Sequence, residues 1–230
     1  HSIRRRQRQM CIRDRFNAKT RSFVNNGFVT PESKGGMDWI DKDSVIIGID
    51  FGDNTMTDSG YPMVAKIWQR GTPLSSAIEI DRGEQTDVGY WGGVVELSDG
   101  RREIITTRAI SFYDAETYWF SLQPSDGTYK KVKFPLPQKW DINGEHKGQL
   151  LLKLNEAWRG FNIGDLVSFS IYDFMENGEI SDINLVFSPD EKSSMGNLGI
   201  TKSKVLLSIY RNVSGLSLIH ISEPTRLGFI

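Results

Sequence analysis

Few residues of this chain could carry out chemistry, and their spacing favours ordinary surface roles. Of the three histidines, only His146 lies away from the ends, in the hydrophilic segment 144–147. A Ser-His-Asp centre could therefore use only His146, whose context favours a solvated loop histidine. The carboxylates Glu176, Glu179 and Asp182 could form a glycosidase acid–base pair, but they flank a tight turn, where solvated carboxylates are common.

Acidic residues also cluster in the loop between residues 50 and 60. Asp50, Asp53, Asn54 and Asp58 offer oxygen ligands for calcium, but their spacing is not that of an EF-hand and favours a polar loop. The triplet at 50–52 spells the Asp-Phe-Gly of kinases without a glycine-rich loop or a catalytic-loop Asp–Asn pair. The sequence therefore predicts no catalytic centre, no metal site and no cofactor.

Both ends of the chain resemble translated sequencing adapters rather than native protein. Residues 5–14 (RRQRQMCIRD) and residues 216–226 (LSLIHISEPTR) match, without interruption, the in-frame translations of the two adapters used in tagmentation libraries. We interpret residues 1–14 and 216–230 as non-native and exclude them from fold reasoning. The arginine-rich start is therefore not interpreted as a nucleic-acid-binding arm.

The interior, residues 15–215, is acidic and lacks cysteine. Six of the 28 basic and two of the 29 acidic residues lie in the adapter-like ends, which leaves the interior with a net charge of −5. The single cysteine, Cys11, lies in those ends too, so disulfides and thiolate-based zinc sites are excluded from the interior. No apolar run approaches the ~20 residues that cross a bilayer. We expect no membrane contact and a cytoplasmic location.

The hydrophobic pattern predicts an all-β chain of short strands. Alternating apolar residues and turn signals indicate strands at Val45–Phe51, Met63–Trp68, Ala77–Ile80, and Val94–Leu97 paired with Arg102–Thr106. Later, Leu151, Leu154 and Trp158 have helical spacing, which predicts a helix over 149–159. Residues 165–187 read as a hairpin that turns at Asn177-Gly178.

One strand–turn–strand–turn–strand pattern occurs twice. Phe16–Val45 and Phe112–Phe134 both begin with an aromatic residue, pass through a polar turn with alanine and a charge, and reach a proline-containing turn. Three strands, a helix-containing connection and a closing hairpin is the order of a five-stranded oligonucleotide-binding barrel.

The motifs within this pattern resemble those of the cold-shock domain family. FNAKT…NGFVTPES…DWI is similar to the first strands of that domain, FYDAETYWFSLQPSDG to a diverged second copy, and GDLVSFSIYDFMENGEISDINLV to its closing hairpin. The resemblance implies two small five-stranded OB-like barrels, at residues 15–87 and 88–188, the second with a short helix. Residues 189–215 are then a spacer and the start of a truncated segment.

The resemblance also implies a non-enzymatic protein that binds single-stranded RNA or DNA by stacking bases on exposed aromatic rings beside lysines. Residue by residue, it assigns nucleic-acid binding to Phe16, Lys19, Phe28 and Trp39 in the first copy, and to Trp119, Lys131 and Lys133 in the second. A core position is equally open for Trp39 and Trp119, and it is favoured for Phe112, Phe120 and Phe169.

Two other functions stay open at this point. A protein-interaction or structural β-domain would explain the acidic charge and the missing aromatic residues of the second copy, and it would have protein partners instead of nucleic acid. A carbohydrate-active β-sandwich enzyme would explain the abundance of tryptophan and carboxylates. Oligonucleotide binding by Trp39→Ala and Trp119→Ala variants separates the first hypothesis from the other two.

Overall fold

The structure, a computed structural model, describes residues 16–24, 27–122, 127–212 and 214–220; for residues 16, 17 and 215–220 it describes the backbone alone. Within these residues the regular secondary structure is almost entirely β-strand, with one short α-helix and one 3-10 turn. The strands are β1 (Phe16–Asn17), β2 (Ser22–Phe23), β3 (Gly36–Trp39), β4 (Ser44–Gly48), β5 (Val64–Gln69), β6 (Ile78–Arg82), β7 (Gly89–Glu96), β8 (Arg102–Ala109), β9 (Ala115–Leu122), β10 (Tyr129–Lys133), β11 (Trp140–His146), β12 (Gln149–Leu154), β13 (Leu166–Ser170), β14 (Ile183–Phe187), β15 (Ser193–Ile200), β16 (Val205–Arg211) and β17 (Ser214–His220).

The strands form a succession of open antiparallel meanders, in which neighbours in sequence are neighbours in the sheet. After the β1–β2 hairpin come three four-stranded sheets, β3–β6, β7–β10 and β11–β14, and the three-stranded sheet β15–β17. None of these sheets closes on itself among the described residues, so the prediction of two five-stranded OB-like barrels is wrong. The all-β character itself is confirmed.

The two supposed copies of the barrel unit do not fold alike. In the first, residues 16–23 form only a hairpin whose two strands are two residues long each, and β3 and β4 belong to another sheet. In the second, β9 and β10 lie within the β7–β10 meander. The aromatic-plus-turn pattern therefore marked ordinary hairpins and not a repeated domain.

The chain is divided into two compact units. Unit 1 is His1–Val94 with Ile104–Lys131, and unit 2 is Val95–Glu103 with Val132–Ile230. These bounds differ from the expected division at residues 87 and 88. The tip of the β7–β8 hairpin belongs to the second unit, so the chain crosses between the units three times.

The core of unit 1 lies on both faces of β4. Ile46 points to one face, where it packs with residues of β5, β7, β8 and β9, and Val45 and Ile47 point to the other. Gly92 on β7 is required there, because a Cβ on it would lie 2.3 Å from Cδ1 of Ile46. The edge of β7 is capped: the Tyr90 N–H donates to the carbonyl of Pro62, and the Val94 N–H donates to Oδ2 of Asp38.

In unit 2 the predicted helix over 149–159 is wrong. Residues 149–154 form strand β12, and Leu150, Leu151, Leu152 and Leu154 are all buried. A strand buried on both faces is apolar at consecutive positions, so its spacing imitates a helix. One face packs against Val205, Leu207 and Ile209 of β16.

A real helix, α1 (Ile171–Asn177), stands where the closing hairpin was predicted to turn. The Ser170 side chain caps it by accepting from the Asp173 N–H, Ile171 and Phe174 bury one face, and Gly178 ends it at φ 75°. The flanking strands β13 and β14 still pair antiparallel, so the hairpin prediction is correct in pairing and wrong in its connection. No helix in the described part is long and apolar enough to cross a bilayer.

Candidate functional site

The first group of predicted stacking residues lies in the core of unit 1. Phe28 is 1% exposed and meets the rings of Trp39 and Trp68 edge-on, with centroid distances of 5.5 and 4.8 Å. Trp39 is half-buried in the same cluster. The guanidinium of Arg70 lies 4.9 Å from the centre of the Phe28 ring. The structure thus brings Phe28 and Trp39 together, but against protein and not towards solvent.

The remaining predicted residues differ in exposure. Trp119 is 7% exposed on β9, opposite Ile105. Lys19 is exposed in the β1–β2 turn, and Lys133 is exposed at the end of β10. Phe16 pairs with Phe23 through its backbone, while its side chain lies outside the described residues.

Lys131 takes part in a polar network that links the two sheets of unit 1. Its Nζ lies 2.6 Å from Oδ2 of Asp81 on β6 and 4.0 Å from the centre of the Tyr118 ring. The fully buried Tyr90 donates its hydroxyl proton to the same oxygen of Asp81, and its oxygen lies 2.6 Å from Oγ1 of Thr106. The carboxylate of Asp81 is therefore satisfied by protein groups, and Lys131 is engaged with it.

The tyrosines of this network are held in their neutral form. Burial, together with the hydrogen bond to Asp81, raises the pKa of Tyr90 well above its ordinary value. Burial, followed by the hydrogen bond to Glu116, raises the pKa of Tyr118 to about 12. At neutral pH both hydroxyls are protonated, and they donate to the carboxylates of Asp81 and Glu116.

Unit 1 contains a second ion pair, between Arg108 and Asp87. Arg108 donates from Nε and Nη2 to the two carboxylate oxygens of Asp87, at 2.7 and 3.1 Å, and the Asp87 carboxylate is almost fully buried. The hydrogen bonds that Arg108 donates to this carboxylate raise the pKa of Arg108. A bidentate pair of this kind fixes geometry more than it prepares chemistry.

His146 is not the solvated loop residue that its neighbours in sequence suggested. It ends strand β11, is 4% exposed, and its Nε2 has no hydrogen-bond partner within the described residues. Burial, and secondarily Lys147, lowers the pKa of His146. A serine nucleophile would have to bond to Nε2 of its histidine. The histidine therefore completes no such centre here.

The acidic residues singled out from sequence are exposed, as their contexts indicated. Glu176, Glu179 and Asp182 lie on or just after α1, with their side chains in solvent. Asp50 accepts from the Gly52 N–H, which stabilises the turn of its loop. Among the described residues, no group of three or more His, Cys, Asp or Glu side chains could hold a metal ion.

Sequence reasoning missed a set of exposed rings. Phe112, predicted to be core, is 83% exposed, and its neighbour Tyr113 is 79% exposed. Tyr61 and Trp91 are each 36% exposed, with ring centroids 6.0 Å apart. Phe120 and Phe169 are buried as predicted. Phe112 differs from these two because it lies in the β8–β9 turn and not in a strand.

No protein-family model matches the chain. Two curated proteins are similar to it along most of its length. The peptidase y4nA of Sinorhizobium fredii is 30% identical over 205 residues, which cover 86% of this chain and 28% of the relative. The peptidase RP174 of Rickettsia prowazekii is 24% identical over 220 residues, which cover 89% of this chain and 30% of the relative. The chain thus spans less than a third of the length of these relatives.

Solved structures give the fold. The chain superposes on a post-proline cleaving enzyme of Rickettsia typhi with a TM-score of 0.83 and 22% identity, covering 94% of this chain and 33% of that one. Prolyl oligopeptidase B of Galerina marginata follows with a TM-score of 0.57 and 10% identity, covering 90% and 29%. The open sheets closely match the β-propeller domain of prolyl oligopeptidases.

These similarities overturn the functional predictions made from sequence. The relatives and structural neighbours are peptidases and not cold-shock proteins, so the assignment to a non-enzymatic binder of single-stranded RNA or DNA is wrong. The structural β-domain and the carbohydrate-active enzyme are wrong as well. The expected nucleic-acid partner is therefore wrong as well.

The spacing of the sheets along the chain agrees with a propeller. The first strands of the four sheets begin at residues 36, 89, 140 and 193. Units of about 50 residues that form four-stranded sheets are typical of propellers, and three of these four sheets have four strands in the described part of the chain. The aromatic motifs directed attention to a shorter and false repeat instead.

Proposed function

We propose that this chain is a propeller segment of a peptidase of the prolyl oligopeptidase family, and that the longer parent protein cleaves peptides after proline. The observation that carries the proposal is the agreement of two similarities along the same stretch: 30% identity to a curated peptidase over 86% of the chain, and a TM-score of 0.83 to a post-proline cleaving enzyme.

The chemistry of this chain supports a non-catalytic role within the parent. The interior has no cysteine, and its single histidine is buried without a hydrogen-bond partner on Nε2 among the described residues. The two tyrosines of the Asp81 network are kept protonated by burial. A nucleophile with its base would therefore come from the part of the parent that this chain does not cover.

The proposal is tested by purifying the parent protein and assaying internally quenched peptides. A peptide with one central proline should be cleaved on the carboxyl side of that proline, with the site read by mass spectrometry. A matched peptide with alanine in its place should react at least about tenfold more slowly, because a site shaped for proline distinguishes transition states by more than 1.4 kcal/mol.

The present chain alone is the matched control, and it should leave both peptides intact. Cleavage by this chain alone would contradict the non-catalytic role. A parent that cleaves neither peptide, or cleaves both equally, would contradict the proposed specificity.

A cytoplasmic location is proposed with it. Its support is the cysteine-free interior, since many small secreted domains depend on disulfides and this one would have none. Fractionation of cells that express the parent, with a periplasmic and a cytoplasmic marker, tests this.

A further inference from the structure

One end of unit 1 gathers exposed aromatic side chains. β4, β6 and β8 finish at this end, and β5, β7 and β9 begin there, so their connections lie side by side. We call it the aromatic end and define it by Tyr61, Trp91, Phe112 and Tyr113.

Hydrogen bonds tie these connections into one surface. The hydroxyl of Thr57 donates to the carbonyl of Val88 at 3.1 Å, and the Val88 N–H donates to the carbonyl of Ala109 at 2.9 Å. The loop that carries Tyr61 is thereby joined to the start of β7, and the start of β7 to the turn that carries Phe112. The loops that carry the exposed rings are therefore joined to one another.

The turn presents its rings from an ordered backbone. The N–H groups of Ile110 and Ser111 both donate to the carbonyl of Asp114, and the Ser111 hydroxyl donates to the Asp114 carboxylate at 2.7 Å. The N–H groups of Tyr113 and Asp114 donate back to the Ser111 hydroxyl. Docking on such a turn loses little conformational entropy, because its backbone is already fixed.

The half-exposed pair beside the turn is ordered as well. The Trp91 ring folds over Gly89, where a Cβ would lie 2.7 Å from two ring atoms and 3.1 Å from Cβ of Tyr61. The Nζ of Lys34 lies 4.6 Å from the centre of the Tyr61 ring. The rings are therefore held in place and not simply left in solvent.

The opposite end of the same sheets differs in chemistry. On β6 and β9, the large exposed apolar side chains at that end are aliphatic, Ile78 and Leu122. Small polar residues form tight turns equally well, so the turn itself does not require aromatic residues. Phe112 and Tyr113 are nevertheless 83% and 79% exposed in it. Adjacent rings on a rigid turn are typical of binding hot spots.

We propose that the aromatic end is the surface on which the rest of the parent polypeptide docks. The argument for this occupant is length: the curated relatives share only 28% and 30% of their own chains with this one, so more than twice as much polypeptide lies outside it. The inference rests on the proposed function, because it assumes the longer parent.

Hydroxyl-radical footprinting of the parent and of this chain alone tests the inference. Phe112, Tyr113 and Trp91 should be oxidised at least about fivefold more slowly in the parent, because the centre of an interface excludes water. Ile78, at the opposite end, serves as the internal control and should react alike in both. Equal oxidation of Phe112 and Tyr113 in both proteins would overturn the docking proposal.

A variant extends the test to residues that are not themselves changed. Phe112→Ser/Tyr113→Ser should leave the melting temperature of this chain unchanged within about 2 °C, since exposed positions contribute little. In the parent it should remove the protection of Trp91, whereas Ile78→Ser should retain that protection. Protection of Trp91 that survives the double change contradicts the proposal.

Two further outcomes separate the partners and the two proposals. Protection that appears in this chain alone and rises with its concentration would assign the surface to a second copy and overturn the parent as occupant. A parent that protects the rings but cleaves no peptide would refute the peptidase and support the docking. A parent that cleaves after proline without protecting the rings would refute the docking alone.

Discussion

The ammonium group of Lys131 lies 2.6 Å from a carboxylate oxygen of Asp81 and 4.0 Å from the centre of the Tyr118 ring. Asp81 belongs to one sheet of unit 1, and the other two residues belong to the next sheet. A lysine that the sequence offered as a phosphate contact thus holds two sheets together.

Replacing this lysine should destabilise the chain. Lys131→Met leaves the largely buried Asp81 carboxylate without its cation, and we expect the free energy of unfolding to fall by about 1 kcal/mol. Urea unfolding followed by tryptophan fluorescence measures it. Lys130→Met, one residue earlier on the same strand and exposed, should change stability by less than about 0.5 kcal/mol.

The pair is isolated by a double variant. Asp81→Asn removes the charge that Lys131 compensates, so Lys131→Met should cost less in that background than in the original chain. Equal costs in both backgrounds would mean that the ion pair adds nothing to stability.

Close packing of the two sheets of unit 1 depends on Gly92. A methyl group at this position would lie 2.3 Å from Cδ1 and 2.6 Å from Cγ1 of Ile46. We expect Gly92→Ala to destabilise the chain by about 1–3 kcal/mol through overpacking. Gly93→Ala is the matched control, because its Cβ would meet only an oxygen of Asp38, at 3.8 Å.

The steric reason can be checked directly. Ile46→Val removes the Cδ1 methyl that the new side chain would strike, so adding it to Gly92→Ala should recover part of the lost stability. If Gly92→Ala and Gly93→Ala unfold at the same urea concentration, the close approach of the sheets is not limiting.

Alkaline pH should weaken unit 1 through Tyr118. Its pKa is about 12 in the folded chain against a usual 10.0, so its contribution to stability is complete below pH 10 and is lost as pH rises towards 12. Over that window the stability of Tyr118→Phe should fall less steeply than that of the original chain. Equal slopes for Tyr118→Phe and the original chain would contradict this prediction.

The sequence was sufficient for strands and for several turns. The predicted hairpin is present between β7 and β8, although its connection is longer than the two residues Asp99-Gly100. Residues 97–101 separate the strands, and Gly100 takes the left-handed conformation that such a turn requires, at φ 86°. The same local reasoning failed for residues 149–154, where apolar residues at consecutive positions fit a buried strand as well as a helix. A buried strand can be distinguished from a helix here only when it is known that both faces of this strand are covered by other parts of the protein.

The candidate site failed for a related reason. Phe28 and Trp119 looked like stacking platforms because aromatic residues in strands have the same pattern whether they face solvent or a neighbouring sheet. Phe112 is exposed instead, and it lies in a turn, where aromatic residues are unexpected. Which aromatic side chains are buried depends on how neighbouring sheets pack. That packing is set by sheet units of about 50 residues, and a single short motif does not reveal it.

Acidic pH should weaken unit 2 through His146. Burial lowers its pKa from the usual 6.5, so the folded chain binds this proton less readily than the unfolded chain does. The contribution of His146 is therefore complete above pH 6.5 and is lost as pH falls below it, by up to about 1.4 kcal/mol for each unit of displacement. Lys147, next in sequence, acts in the same direction, and Glu145 opposes it.

Urea unfolding between pH 7.5 and 5 measures this loss against His146→Gln, which has no charge to gain. The original chain should lose more stability than the variant over this range, and the difference between them cancels the titration of the shared carboxylates. The imidazole signal of His146, followed by NMR against pH, gives an independent measurement and should titrate below 6.5. Parallel stability curves would show that the buried imidazole is protonated as easily in the folded chain as in the unfolded one.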